Sequence, residues 1–138
     1  MYKEECEALI SIALNFGADS LKKYKEFYPY GVVILSDDTV EFTAAYDGDE
    51  HPESQNVIND LTKIHQQLAK EGKIKASAIA WDGRVTDEEG NKVDAIMVNL
   101  EHKEGYAIMA YLPYKFGFLK SVKFGEMKYS KGNKEIFK

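Results

Sequence analysis

The stretch at residues 73–114, KIKASAIAWDGRVTDEEGNKVDAIMVNLEHKEGYAIMAYLPY, decides the fold. It reads as three consecutive strands. Thr86-Asp87-Glu88-Glu89-Gly90-Asn91 and His102-Lys103-Glu104-Gly105 are turn-rich and join them. In 73–85, Ile74, Ala76, Ala78 and Ala80 alternate with Lys75, Ser77, Ile79 and Trp81. In 93–102, Ile96, Val98 and Leu100 share one face, and Ala95, Met97 and Asn99 the other. Residues 106–112 are apolar on both faces, the mark of a strand covered on both sides. Pro113 then limits further ladder bonding.

Upstream, Leu9, Ala13, Phe16, Leu21, Tyr24 and Phe27 recur at helical spacing. Glu4, Glu5 and Glu7 open this segment and Lys22, Lys23 and Lys25 close it, which suits the helix dipole. Pro29 stops the helix by about Tyr28. Residues 30–35 are apolar on both faces and predict a central strand. Ser36-Asp37-Asp38-Thr39 turns the chain into 40–46, a half-exposed strand with Val40, Phe42 and Ala44 on one side. Pro52 suits the start of a second helix. Val57, Ile58, Leu61, Ile64, His65 and Leu68 form its apolar stripe, and Gly72 its stop.

The element order is therefore α-β-β-α-β-β-β with a C-terminal hairpin or tail, an α+β fold. With the first and fifth strands central and the second and third peripheral, the expected five-stranded antiparallel sheet has the order 2-1-5-4-3, covered by helices on both faces. This order resembles the profilin-like and roadblock-like folds, a likeness of topology that carries no function. A cystatin-like sheet wrapped around the first helix is the alternative.

The chain has 138 residues, one domain's worth, and its 44% hydrophobic and 30% charged residues are those of a globular protein. No apolar run reaches the roughly 18 residues of a membrane span, so no membrane partner is expected. The acidic N-terminus is unlike a secretory signal, and a single cysteine, Cys6, allows no internal disulfide. A cytoplasmic location follows. The net charge of −5 is unevenly spread. The basic, aromatic-rich extension 115–138 carries seven lysines against Glu126 and Glu135, leaving the rest acidic. Spaced lysines keep such a segment soluble. Arg84 is the only arginine, and nucleic-acid readers favour Arg. No nucleic-acid partner is expected.

Two clusters carry chemistry. Asp47-Gly48-Asp49-Glu50-His51 is the densest group of ligand-type side chains. In an extended chain Asp47, Asp49 and His51 point to one side and can meet a divalent cation. The plainer role is an acidic turn that favours a helix N-terminus. Trp81, Asp82, Gly83 and Arg84 contain the chain's only Trp and only Arg, the commonest interface anchors. A bulge at Gly83 would re-aim them. The plainer role is Trp81 filling space over the alanines and Arg84 pairing with Asp94. His65 reads as a buried, hydrogen-bonded residue. Glu neighbours raise the Cys6 pKa and oppose thiolate chemistry.

The stretch Thr43-Ala44-Ala45-Tyr46-Asp47-Gly48-Asp49-Glu50-His51-Pro52-Glu53-Ser54-Gln55, with Arg84-Val85-Thr86, Asp94-Ala95-Ile96, Leu100-Glu101-His102 and Leu112-Pro113-Tyr114, resembles a group of small bacterial α+β proteins without assigned function. The resemblance covers roughly residues 30–137. It implies a bacterial source and a single domain over 1–138, and transfers no catalytic residue.

The expected function is a non-catalytic protein-interaction domain, immunity-protein-like or a regulatory adaptor, using Trp81, Arg84, Asp47, Asp49 and Glu50 and no cofactor. Its acidic body suits a basic partner. The alternative is a small-ligand or metal-binding protein, or a minor enzyme, built on the Asp47/Asp49/His51 turn. A homodimer through an exposed strand edge or sheet face is the third possibility. Asp47, Asp49, Glu50, Arg84 and His102 are expected to share one surface.

Overall fold

The computed structural model describes residues 2–45 and 53–137. The elements are α1 (Tyr2–Tyr24), β1 (Tyr30–Leu35), β2 (Val40–Thr43), α2 (Ser54–Lys70), β3 (Ile74–Thr86), β4 (Lys92–His102), β5 (Ala107–Phe116), a short 3-10 turn (Phe118–Lys120), β6 (Val122–Phe124) and β7 (Lys128–Lys131). The fold is α+β, with the element order that the hydrophobic patterning predicts.

All strand pairs are antiparallel, in the order β2-β1-β3-β4-β5-β6, and β7 also pairs with β5. This corrects the expected order 2-1-5-4-3 and the five-strand count. The neighbour of β1 is β3, through pairs such as Val32↔Ala78, and not β5. β3, expected at the periphery, is central. Its polar residues look solvent-facing in sequence but are matched in space. Lys75 pairs with Glu5 at 2.6 Å and also with Asp38, while Ser77 bonds His65. Strand β5, expected to be covered above and below, is mostly half-buried. Its outer edge is closed by β6 and β7 instead of β1. It also continues past Pro113 to Phe116, because the β7 pairing ends at Tyr111 and the β6 pairing begins at Tyr114. Pro113 lies in that gap, where a missing N–H is tolerated.

Helix α1 covers one face. Leu9, Ile10, Ala13 and Leu21 pack on Val32, Ile34, Ala76, Ala78, Ala80, Ile96, Val98 and Leu100. The small alanines of β3 let the helix approach closely, and the Tyr30 hydroxyl donates to the Ala13 carbonyl. Helix α2 covers the other face, where Val57 and Leu61 pack on Val33, Ile74 and Ile79.

The chain after β7 folds back along this second face, a tail packed on the domain. The Asn133 N–H donates to Asn99 Oδ1 at 2.9 Å, and Asn99 Nδ2 donates to the Asn133 carbonyl at 3.1 Å. The Glu135 and Ile136 N–H groups both donate to Glu101 Oε2, at 2.9 and 2.8 Å. Gly132 permits the crossing, since a Cβ there would sit 2.4 Å from the Ile108 nitrogen.

Candidate functional site

The α2 face holds an unusual amount of buried polarity. Val57, Leu61 and His65 lie four residues apart on the helix, so all three point at the sheet. His65 is fully buried. Beneath it β1 carries Gly31, where a Cβ would come within 2.6 Å of His65 Nε2 and closer still to the Thr43 hydroxyl. The space this glycine leaves lets the imidazole bridge two hydroxyls. Nε2 lies 2.7 Å from Thr43 Oγ1, and Nδ1 lies 2.7 Å from Ser77 Oγ. Burial pushes the His65 pKa down to about 4, so the ring is neutral at pH 7, one nitrogen donating and the other accepting. The sequence reading of His65 as buried and hydrogen-bonded matches this arrangement. Its partners were not foreseen, because they come from strands 22 and 12 residues away.

Ser77 also floors a cleft of about 230 Å³ between α2, strands β3 and β4, and the C-terminal segment. Trp81 forms a wall, partly buried against the α2 core. Glu101, buried to 2% exposure, lies on the floor, with Gln55 of α2 on one side and Asn99 and Asn133 on the other. The Glu101 charge is held by two backbone N–H donors, and among the described residues no ion pair neutralises it. Trp81 and Glu101 line the cleft four strand pairs apart, roughly 14 Å along the sheet. An indole toward one end and a buried carboxylate toward the other is chemistry that receives a long cationic side chain. Glu101 is not among the site residues expected from sequence. Its even-odd position in β4, alternating with the apolar Leu100, was the available signal.

Trp81 and Arg84 are not brought together. The β3–β4 register runs unbroken from Ala76↔His102 to Thr86↔Lys92, so Gly83 makes no bulge. Residues three apart in a regular strand face opposite sides. Trp81 faces α2, away from the alanines that it was expected to cover. Arg84 lies on the α1 side beyond the helix, its Nε 3.3 Å from Asp94 Oδ1, the partner the sequence suggested. Beside it, Tyr114 donates to Asp82 Oδ1 at 2.8 Å, and burial raises the pKa of both groups.

His102 sits at the other end of β4, eight strand pairs from Arg84 or roughly 27 Å. The expected shared surface of Arg84 and His102 does not form. The Glu104 N–H donates to His102 Nδ1 at 3.2 Å, so Nε2 carries the proton and donates to Glu5 at 3.1 Å. Cys6 is buried, and its thiol is pushed up to about 11, by burial first and then by Glu5 and Glu7. Asp47, Asp49, Glu50 and His51 lie outside the described residues.

No protein-family model matches the chain, and no curated protein or solved structure is similar to it.

Proposed function

We propose that this chain is a non-catalytic protein-binding domain, immunity-protein-like or a regulatory adaptor, and that the Trp81 cleft receives a basic side chain of its partner. The observation that carries the reading is the presence of the only tryptophan and the buried Glu101 carboxylate in the lining of one cleft. Partly buried Trp is the commonest anchor of protein interfaces. The carboxylate selects a cation, and the acidic body formed by residues 1–114 draws a basic partner in from a distance. The hydroxyl–imidazole bridge beneath the cleft supports the same reading. Ser77 is 1% exposed and its imidazole is a weak base, so both groups serve to fix the floor. A bacterial, cytoplasmic setting completes the proposal.

Because Trp81 is the sole tryptophan, its emission reports the cleft directly. Titration with Lys- and Arg-containing peptides, and with the product of the neighbouring reading frame, is expected to change that emission. Trp81→Ala, read by calorimetry, is expected to weaken binding at least tenfold, as is added salt. A partner bound with equal affinity by the Trp81→Ala variant would sink the cleft as the site.

A further inference from the structure

The turn between β5 and β6 presents the most exposed large apolar side chains of the described residues. Phe118 is 86% exposed and Leu119 83%. The turn is closed by its own backbone: the Gly117 N–H donates to the Ser121 carbonyl at 2.6 Å, and the Lys120 N–H to the Gly117 carbonyl at 3.1 Å. Leu119 and Lys120 adopt left-handed φ values of 57° and 59°. Residues with a Cβ disfavour that conformation, and where it persists it marks a shape held for use. Lys115, Lys120 and Lys123 flank the two apolar residues, Lys115 standing opposite Lys123 across the β5–β6 pair, and no acid occurs from Lys115 to Gly125. In an acidic chain, this turn is a cationic knob with an apolar head.

A matching groove lies at the same end of the sheet. β3 and β5 run in the same direction on either side of β4, so the turn after each lies at one end of the molecule. On the α2 side of that end, Val85, Val93, Tyr111 and Pro113 form an apolar floor. Asp87, Glu88, Glu89 and Glu126 rim it, with Lys128 the single basic residue, 3.3 Å from Glu88. The groove has a volume of about 550 Å³, within the range that seats a bulky group. Its rim keeps an excess of three negative charges, against three lysines on the knob. The knob does not occupy its own chain's groove, since Phe118 stays exposed.

We infer that two copies of this chain associate by seating the Phe118–Leu119 knob of each in the acidic-rimmed groove of the other. The surface is self-complementary in both hydrophobicity and charge. With knob and groove at one end of the molecule, a two-fold axis near that end makes the exchange reciprocal and closed. An anionic bilayer would also accept a lysine-flanked apolar knob. Docking there would press the groove's four carboxylates toward headgroups of their own sign, which favours a second copy.

Sedimentation velocity and light scattering across concentration test the inference. The wild type is expected to shift from 15.7 kDa toward about twice that mass. The Phe118→Ser/Leu119→Ser double variant is expected to stay monomeric, as is the Glu88→Lys/Glu89→Lys/Glu126→Lys variant. All five positions are exposed, and far-ultraviolet circular dichroism verifies that both variants fold. Mixed together, the two variants restore a dimer, because one intact knob and one intact groove remain. A wild type that stays at 15.7 kDa at the highest attainable concentration would overturn the inference, as would a dimer that survives Phe118→Ser/Leu119→Ser. Monomeric wild type that co-sediments with phosphatidylcholine/phosphatidylserine vesicles only when Phe118 is intact would also overturn it, and would assign the knob to a bilayer.

Discussion

The two faces of the sheet solve the same burial problem differently. Under α1 the contact is apolar throughout the middle of the sheet, with Leu9, Leu21, Ile96, Val98 and Leu100 fully buried. Under α2 a smaller apolar cluster shares its space with His65, Ser77 and Glu101. Buried polar groups cost stability unless they are hydrogen-bonded. Here they are: among the described residues every buried side-chain nitrogen and oxygen has a partner. The α1 face therefore supplies most of the hydrophobic stabilisation. The α2 face gives up some of it to fix the floor of a cleft from three separate parts of the chain.

This contrast has consequences of decreasing size. Leu100→Ala on the α1 face removes a fully buried side chain from a continuous core and is expected to cost about 2–5 kcal/mol by chemical denaturation. A cost under about 1 kcal/mol would show that this face is not the main source of stability. On the α2 face, His65 has a folded pKa of about 4 against an ordinary value of 6.5. The unfolded chain therefore binds the proton more tightly. The stability contributed by the neutral ring is complete above about pH 6.5, and is lost as pH falls toward about 4, by about 3 kcal/mol in all. Urea midpoints from pH 7 to pH 4 should show this slope in the wild type, with a flatter profile in His65→Gln. Equal slopes would place the pH sensitivity elsewhere. Least affected should be Arg84→Ala, whose ion pair with Asp94 is largely exposed. A change below about 1 kcal/mol is expected in the same assay.

The elements were legible because their signals are local. The strand at Tyr30–Leu35 is visible as an uninterrupted apolar run, and α1 and α2 as helical stripes. Gly72 follows the end of α2 as expected, but α1 stops ahead of Pro29, at Tyr24, and Lys25 then takes a left-handed φ of 64°. Strand order was not legible, because it depends on what polar residues meet in space. Lys75 and Ser77 make β3 look like a rim strand, yet Glu5 and His65 satisfy them from other elements. The two apolar faces of β5 suggested a seat beside β1. The strand's outer edge is instead paired with β6 and β7, two short strands from a segment whose lysines read as a soluble tail. For the site, Trp81 reads in sequence as an interface anchor, and in the fold it lies on the wall of the α2 cleft. Its expected companion Arg84 faces the other way, a consequence of the unbroken two-residue period of β3.

The clasp of the C-terminal segment reads spacing and ignores side-chain identity. Asn99 and Glu101 are two residues apart on one strand face, and they grip the main chain of Asn133, Glu135 and Ile136. Exchanging the Glu135 side chain leaves those main-chain bonds in place. Inserting one residue after Asn133 puts the tail out of step with its clasp and draws Ile136 out of its seat. The segment thus behaves as a ruler, and the far wall of the cleft is built only when residues 133–136 have been measured against β4.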